Sequence, residues 1–528
     1  MSGMPHTEVL DKPLTLSQLS ETARYEQFDQ LQRRMPDVWA AMRLNHADES
    51  VVVIPSISLD HAVEPSGSMN QAFEERFLFL LLLLRQPQLR MIYVTSMPID
   101  PQIVEYYLAL LPGVIPSHVR SRLSLISVGD SSSASLSEKL LARPRLLARI
   151  AAQIPNPHRS HLIPYNTTDV ERDVAISLGI PMYGADPRLA DLGTKSGCRK
   201  LFAEVGIPHP LGAENLHSVD DVADAIVGMR RERPTITEVI VKLDEGVSGA
   251  GNSRVDLRGL PAPGYSAERA EVIERVRNLE LESPSIPREV YLAKFAEGGI
   301  VEERIVGQEF RSPSVQLRIT PQGTVELLST HDQLLGGPSG QSYLGCMFPA
   351  DPGYARAISH YSTAVAERLV SLGVIGRFAF DFVAVQSADR TWSAYAIELN
   401  LRKGGTTHPF LTLQFLTDGR YDPQTALFIT STGGEKHLVA TDHLESERLR
   451  ALSIADLFDV VARNGLHFHQ ARQAGIVFHM ISSLTEHGRV GLTAVGNTRA
   501  EAEALYERAQ RVLLEEAEAA LSESPLRG

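Results

Sequence analysis

Two apolar runs, RFAFDF (377–382) and YAIELN (395–400), each carry acidic or amide side chains. Both runs have the length and composition of a buried β-strand. Side chains alternate between the two faces of a strand, so Glu398 and Asn400 point to the same side. A buried carboxylate is costly unless it is paired or bound to a metal ion. We therefore predict that Asp381, Glu398 and Asn400 form one site on two neighbouring strands.

These three side chains offer oxygen atoms, the ligands that Mg²⁺ prefers, with nucleotide phosphates and water completing its octahedron. Asp381, Glu398 and Asn400 are accordingly the predicted ligands of one or two Mg²⁺ ions. The alternative is a structural role, in which the carboxylates pair with Arg377 or Arg402.

The turn LRKGGTTH (401–408) follows the second run directly. Its Arg402 and Lys403 concentrate positive charge beside two glycines, which suits a phosphoryl group in transfer. His408, and His331 in THDQLLGG (330–337), are expected in loops near this site, where either can orient or deprotonate an amine. Structural roles are predicted for three other histidines that lack metal-site spacing, His467, His469 and His479.

Two patterns upstream have the chemistry of a nucleotide site. Lys242 ends a β-rich run before the glycine-rich GVSGAG (246–251), where backbone N–H groups can approach phosphate. The alternative is an exposed hairpin turn. EERIVGQE (302–309) places Glu302 and Glu309 around an apolar strand end. Their oxygens can accept from an exocyclic amine and a ribose hydroxyl, although a solvated edge strand is the alternative.

The order of elements indicates a mixed α/β chain. From about residue 50 to residue 154, apolar runs alternate with helical patterns in a βαβαβα order, which predicts a parallel sheet. Strand, hairpin and helix patterns follow, and VYLAKF (290–295) is predicted as a strand. Gly433-Gly434 marks a boundary before a final helix–strand–strand–helix pattern.

Composition excludes several classes of protein. The 528 residues include 51 Lys+Arg and 64 Asp+Glu, a formal net charge of −13, which opposes general binding to nucleic acid or anionic membranes. The apolar run 77–84 is too short for a membrane span and is predicted as a buried helix. Two cysteines, Cys198 and Cys346, and an N-terminus without a recognisable secretory signal lead us to expect a cytoplasmic protein.

The order of these motifs resembles that of the ATP-grasp superfamily over about residues 190–430. The resemblance adds Lys195, in TKSGCRKLFAEVGIP (194–208), as a contact of nucleotide phosphate. It implies that further phosphate contacts come from Lys242, Ser248, Gly249, Ala250 and Gly251. It implies that the nucleoside is bound by Glu302, by the backbone of Glu303 and Ile305, and by Glu309 at the ribose.

A wider match from about residue 50 resembles the pheganomycin-type peptide ligases. It lies in TTDVERDVAISLGIP (167–181), ELNLRKGGTTHP (398–409), and GIVFHM (475–480) with GLTAVG (491–496). The resemblance implies an α/β protein with three domains. These are a Rossmann-like pre-ATP-grasp domain (1–185), an ATP-grasp fold of two α+β subdomains (186–432, with a glycine-loop subdomain at about 205–300), and a small α+β C-terminal domain (433–528).

Such enzymes use ATP to activate a carboxylate as an acyl-phosphate and couple it to an amine, which releases ADP and phosphate. The resemblance thus implies a carbon–nitrogen ligase that joins an amino acid to a peptide or amino acid in natural-product biosynthesis. The alternatives are an ATP-grasp phosphotransferase acting on a small molecule and a nucleotide-sensing protein without activity. No nucleic-acid or membrane partner is expected, and a homodimer is left open.

One position departs from the family pattern. Ligases similar to D-alanine ligase place an oxyanion-stabilising arginine two residues before the metal aspartate, where this chain has Ala379. Arg377 is the nearest arginine on that run, so it is kept as a candidate. The role is assigned to Arg402.

Overall fold

The computed structural model describes residues 16–44, 48–58, 67–111, 113–245, 251–282, 286–336 and 342–523. The first part contains β1 (Ser50–Ile54), β2 (Arg90–Thr95), β3 (Leu123–Ser127) and β4 (Ser160–Pro164). These strands pair in parallel in the order β3-β2-β1-β4, which confirms the predicted parallel sheet. The helices of this part are α1 (Glu21–Gln32), α2 (Met35–Ala41), α3 (Gly67–Glu75), α4 (Pro101–Ala109), α5 (Pro116–Arg120), α6 (Leu136–Leu141), α7 (Pro144–Ala151) and α8 (Asp169–Leu178).

The apolar run 77–84 lies in a 3-10 helical segment, Arg76–Arg85, that follows α3. Its side chains are almost all buried, and Phe79 packs in the same core as Tyr93 of β2. The prediction of a buried helical segment is therefore confirmed. Within the described ranges, no helix combines the length and apolarity that crossing a bilayer requires.

A second part of the chain forms a small antiparallel sheet with its own core. Its strands are β5 (Gly212–Ala213), β6 (Glu238–Leu243), β7 (Asn252–Asp256), β8 (Glu280–Leu281) and β9 (Gly299–Glu303), ordered β5-β9-β6-β7-β8. The helices here are α9 (Lys195–Val205), α10 (Val219–Glu232), α11 (Glu268–Arg277) and α12 (Arg288–Ala293). A separate apolar cluster, from Leu216 to Val301, fills the space between sheet and helices. The exact domain boundaries stay predictions.

The strand expected at 290–295 is wrong. These residues form most of α12 and the 3-10 turn that follows it. Tyr291 and Phe295 are buried with their ring centroids 5.7 Å apart, whereas Val290 is 48% exposed. Two buried residues that are four positions apart fit the period of a helix. The apolar run is too short to distinguish this helical period from the alternation of a strand.

The third part is dominated by one large antiparallel sheet. Its elements are β10 (Glu309–Arg311), β11 (Pro313–Ile319), β12 (Val325–Gly336), β13 (Ser342–Phe348), β14 (Gly376–Gln386), β15 (Trp392–Asn400), β16 (Arg420–Asp422), β17 (Leu427–Ile429), β18 (His437–Glu445), β19 (Gly475–His479) and β20 (Arg489–Gly496). The helices are α13 (Pro352–Ser371), α14 (Thr407–Thr417), α15 (Ile454–Arg463), α16 (Ser483–His487) and α17 (Arg499–Glu523).

The large sheet runs across the boundary expected at Gly433-Gly434. Its order is β10-β14-β11-β12-β13-β18-β20-β19, with β15 on the free side of β14 and β16–β17 as a separate hairpin. The C-terminal strands therefore extend the same sheet, because β18 pairs with β13. One apolar core joins this sheet to the first part of the chain.

Candidate active site

A cavity of about 1640 Å³ lies where the three parts of the chain meet. Tyr165 lines it from the first part, Lys242 from the small sheet, and Asp381 and Arg489 from the large sheet. It therefore collects polar side chains that are far apart in sequence.

The predicted metal ligands come together at this cavity. Asp381 on β14 lies opposite Glu398 on β15, and Ala379 lies opposite Asn400. The Asn400 Nδ2 donates to the Asp381 Oδ2 at 3.0 Å. The Lys195 Nζ, in the first turn of α9, donates to the Glu398 Oε1 at 2.5 Å. The three oxygen-bearing side chains thus share one side of a strand pair, with a lysine beside them.

The electrostatics of this group suit a divalent cation. Burial and the neighbouring Glu398 carboxylate raise the pKa of Asp381 to about 6. Burial alone would also raise the pKa of Glu398, but the Lys195 ammonium holds it below its usual value. Among the described residues, neither carboxylate pairs with Arg377 or Arg402, the structural alternative. Two close carboxylates and an amide oxygen fit the hard oxygen donors that Mg²⁺ takes.

A buried ion cluster fixes the second lysine. The Lys242 Nζ donates to the Glu302 Oε2 at 2.6 Å, and the Arg199 Nη1 donates to the Glu302 Oε1 at 3.2 Å. Burial opposes ionisation of Glu302, but Lys242 and Arg199 keep its pKa below the usual value. Glu302 therefore holds Lys242 at the cavity, and its expected contact with the adenine amine stays a prediction.

The backbone N–H of Glu303 is already hydrogen-bonded within the protein. Its N–H donates to the Leu211 carbonyl at 2.7 Å, and its side chain accepts from the Leu211 N–H at 2.9 Å. Glu303 lines the cavity, and contact of its backbone with the base stays a prediction that falls to its carbonyl oxygen. Ile305, just beyond β9, lines the cavity, and its predicted role stays open.

Glu309 is not placed as expected. It lies on the edge strand β10 and pairs with Arg311, at 39% side-chain exposure. Phe310 lines the cavity instead, because neighbouring side chains on a strand face opposite sides. The solvated edge strand, the alternative left open above, is what the structure contains.

Lys403 and Arg377 also lie off the described cavity lining. The Lys403 Nζ donates to the Pro164 carbonyl at the end of β4, and burial lowers its pKa to about 7. Burial and Arg318 lower the pKa of Arg377 to about 10. The two catalytic candidates are thus corrected to buried cations of the scaffold, whereas Arg402 lines the cavity.

The two candidate histidines are likewise corrected. His331 lies inside β12 and not in a loop, fully buried against Phe348, and burial lowers its pKa to about 3. His408 is the second residue of α14 and is buried too, with its Nε2 3.1 Å from the Asp442 Oδ1. Neither ring lines the cavity in the described part of the chain, although Asp442 does.

Three of the predicted loop residues, Ser248, Gly249 and Ala250, lie outside the described residues. Gly251 lines the cavity. Its carbonyl accepts from the Leu243 N–H at 3.1 Å and from the Tyr291 hydroxyl at 2.9 Å, which anchors the end of the loop between β6 and β7.

Comparison with known proteins agrees with this geometry. A family model described as "IQCH-like, ATP-grasp" matches residues 287–424. The structure resembles a crystal structure of biotin carboxylase from Campylobacter jejuni in a β,γ-ATP complex, with a TM-score of 0.52, 14% identity, and coverage of 89% of this chain and 95% of that chain. The chain has the ATP-grasp fold.

Two curated proteins are similar to this chain in sequence. L-propargylglycine–L-glutamate ligase of Streptantibioticus cattleyicolor is 28% identical, over 83% of this chain and 89% of its own length. IQ motif-containing protein H of Danio rerio is 23% identical, over 73% of this chain and 40% of its own length. A second family model, "PGM1 C-terminal domain", matches residues 456–509. The predicted ATP-grasp and peptide-ligase resemblance is therefore confirmed.

Sequence reasoning missed several charged residues in the cavity lining and directly behind it. Arg199 follows Lys195 by four residues on α9, a spacing that places both on one helix face and was a usable signal. Arg76, Asp442 and Arg489 line the opposite end of the cavity. They come from three distant parts of the chain, so no local pattern joins them.

Proposed function

We propose that the protein is an ATP-dependent carboxylate–amine ligase that forms an amide bond through an acyl-phosphate and releases ADP and phosphate. The observation that carries the proposal is the meeting of Asp381, Glu398 and Asn400 with Lys195 and Lys242 in one cavity. The similarity to a ligase over most of both chains supports the same reaction class.

Asp381, Glu398 and Asn400 would hold one or two Mg²⁺ ions. Bound Mg²⁺ neutralises charge on the β- and γ-phosphates of ATP. Lys195 and Lys242 add fixed positive charge on the same side, and their carboxylate partners hold each ammonium in place. These charges let a substrate carboxylate approach the γ-phosphorus in line, which mutual repulsion otherwise prevents.

Arg402 is the cavity-facing cation nearest in sequence to the proposed metal ligands, and we assign it to the charge that develops on the acyl-phosphate. The proposed reaction requires that this end of the cavity be shielded from bulk water. Shielding matters because an acyl-phosphate exposed to solvent hydrolyses before an amine reaches it.

The substrates proposed are an amino acid as acyl donor and an amino acid or peptide as amine. The name of the 28% identical ligase specifies two amino acids, L-propargylglycine and L-glutamate. A role in antibiotic biosynthesis is part of the same proposal.

The test is an ADP-release screen that crosses amino acids with short peptides at saturating Mg²⁺ and ATP. A ligase releases ADP only when acid and amine are both present, and mass spectrometry finds a product equal to their sum less one water. ADP release with the acid alone and a stable phosphorylated product would establish the phosphotransferase alternative. ATP binding without turnover for any pair would support the nucleotide-sensing alternative.

A further inference from the structure

The end of the cavity away from the small sheet is built from charged and aromatic side chains that the proposed reaction has not used. Arg76, Asp442, His443 and Arg489 line it, with Tyr343 from β13. Arg76 belongs to the first part of the chain, and the others belong to the large sheet. This group is called the arginine end.

Both arginines are held in fixed orientations by Asp442. The Arg76 Nη1 donates to the Asp442 Oδ2 at 2.7 Å. The Arg489 Nε donates to the Asp442 carbonyl oxygen at 2.7 Å, and its Nη2 lies 3.0 Å from the His443 Nε2. The Arg76 Nη2 and the Arg489 Nη1 donate to no group within the described residues. Each arginine thus keeps donors for a ligand while its guanidinium plane is set by the protein.

Two histidine rings in turn orient the Asp442 carboxylate. Its Oδ1 lies 2.7 Å from the His479 Nε2 and 3.1 Å from the His408 Nε2. Burial lowers the pKa of His408 to about 4, so this ring adds no charge at neutral pH. Burial acts against ionisation of Asp442, but the Arg76 charge and hydrogen bonds from the His408 and His479 rings hold its pKa well below the usual value. Two arginine charges therefore face one carboxylate charge, and the arginine end has a positive surplus.

An aromatic ring keeps both guanidinium groups in place. The Arg76 Cζ lies 4.6 Å from the Phe73 ring centroid, and the Arg489 Cζ lies 5.9 Å from the same centroid. Arg76 is 8% exposed. Guanidinium groups stacked on an aromatic face and shielded from water bind a planar anion more strongly than exposed ones do.

In the large sheet, the arginine end is several strands away from the proposed metal ligands. Asp381 lies on β14, and β11, β12 and β13 separate β14 from β18, which carries Asp442. Four strand spacings of about 4.8 Å make roughly 19 Å between the backbones of β14 and β18, measured along the sheet. The nucleotide base is expected in the opposite direction, beside β9 and Ile305. An anion at the arginine end would therefore lie over different strands of the large sheet from the triphosphate.

We propose that Arg76 and Arg489 bind a substrate carboxylate that is not the one phosphorylated. The forked donors of arginine match the two oxygens of a carboxylate. This inference rests on the proposed ligase function and adds a substrate class to it: at least one substrate is an amino acid or peptide with a free carboxylate at this end.

The experiment compares each standard L-amino acid and its primary amide as the amine substrate, and separately compares acid substrates with and without a second carboxylate. For the substrate that reaches the arginine end, the wild-type KM for the free acid is at least about tenfold lower than for the amide, since a charged hydrogen-bonded pair is lost. Arg489→Met raises the KM for the free acid by about the same factor and leaves the KM values for the amide and for ATP unchanged. The arm that shows the difference identifies which substrate carries the carboxylate.

Arg450→Met is the matched control, because Arg450 is 51% exposed and pairs with Glu447 outside the cavity lining. Arg76→Lys is a second variant that keeps a cation beside Asp442 and is expected to weaken the same discrimination. Equal KM values for acid and amide in the wild type in both arms, or discrimination that survives in Arg489→Met, would overturn the proposal.

If no pair of substrates turns over, the carboxylate site is tested by isothermal titration of the same acids and amides in the presence of Mg²⁺ and ADP. A free acid that binds the wild type but not Arg489→Met supports the carboxylate site, and the ligase function alone is then rejected. Absence of binding by every free acid would reject the carboxylate site as well.

Discussion

Asp381 and Glu398 face each other across β14 and β15, and their different partners give them different pKa values. Glu398 has a lysine within hydrogen-bond distance, whereas Asp381 accepts from two amides, those of Gln333 and Asn400. A bound cation relieves the repulsion that raises the pKa of Asp381. Asp381 resists ionisation more than Glu398 does, so metal binding is expected to stabilise the charged form of Asp381 more.

Glu398→Gln keeps the size of the side chain and removes its charge. We expect turnover to fall on the order of 10²–10³-fold, as when one electrostatic group is removed from other active sites. The measurement is ADP release at saturating ATP over a range of Mg²⁺ concentrations. Glu309→Gln is the matched change on the exposed edge strand and should leave turnover within about twofold of wild type. Equal losses in both variants would contradict the placement described above.

The burial of His331 can be tested through the pH dependence of protein stability. Its folded-state pKa of about 3 lies below the ordinary value of 6.5, because burial disfavours the charged ring. Between those values the unfolded chain binds the extra proton, so this residue's contribution to stability is present above pH 6.5 and is lost as pH falls toward 3. In His331→Gln, the free energy of unfolding from urea titrations should fall less steeply over that window. A wild-type slope in the variant, or loss of turnover at neutral pH in a folded variant, would contradict a buried neutral ring.

The pairing of β19 with β20 shows how a strand element supports the arginine end. Gly491 of β20 lies opposite His479 of β19, and a Cβ at Gly491 would lie 2.1 Å from the His479 Nε2. A glycine is therefore required for the His479 ring to reach Asp442.

Gly491→Ala is expected to destabilise the protein by about 1–3 kcal/mol, because the buried His479 ring must move. Gly228→Ala in α10 is the control, since a Cβ there meets nothing within 4 Å, and alanine in a helix interior should stabilise by about 0.5–1 kcal/mol. Urea unfolding measures both. A neutral effect of Gly491→Ala would show that His479 does not need its described position.

At the scale of the whole molecule, the cavity depends on contacts between distant parts of the chain. Arg76 of the first part pairs with Asp442 of the large sheet, and the Tyr107 hydroxyl of α4 donates to the Phe478 carbonyl of β19 at 3.0 Å. The C-terminal strands therefore complete both the sheet and the cavity.

Truncation after residue 432 should leave no folded protein. The deletion removes β18, β20 and β19, exposes the edge of β13, and leaves Arg76 without its carboxylate. Circular dichroism and thermal unfolding of the purified fragment would check this expectation. A cooperative transition and a native-like spectrum would show instead that the region after Gly433-Gly434 is an independent domain.

Much of the site was predictable because its signals are local. A carboxylate inside an apolar strand run is visible in the sequence, and β-strand alternation placed Glu398 and Asn400 on one side. Glu309 and His331 were misassigned because a local signal gives only the residue type. Strand pairing and packing decide what each side chain faces.

The sequence by itself determined the parallel sheet of the first part, the ATP-grasp motif order and the strand pair with the three oxygen ligands. Period, composition and motif spacing are properties of short segments, which one chain records directly. Only the tertiary structure decided that β18 extends the large sheet and that Arg76, Asp442 and Arg489 meet at one end of the cavity. These contacts join residues up to several hundred positions apart, and their geometry depends on the packing of the whole fold.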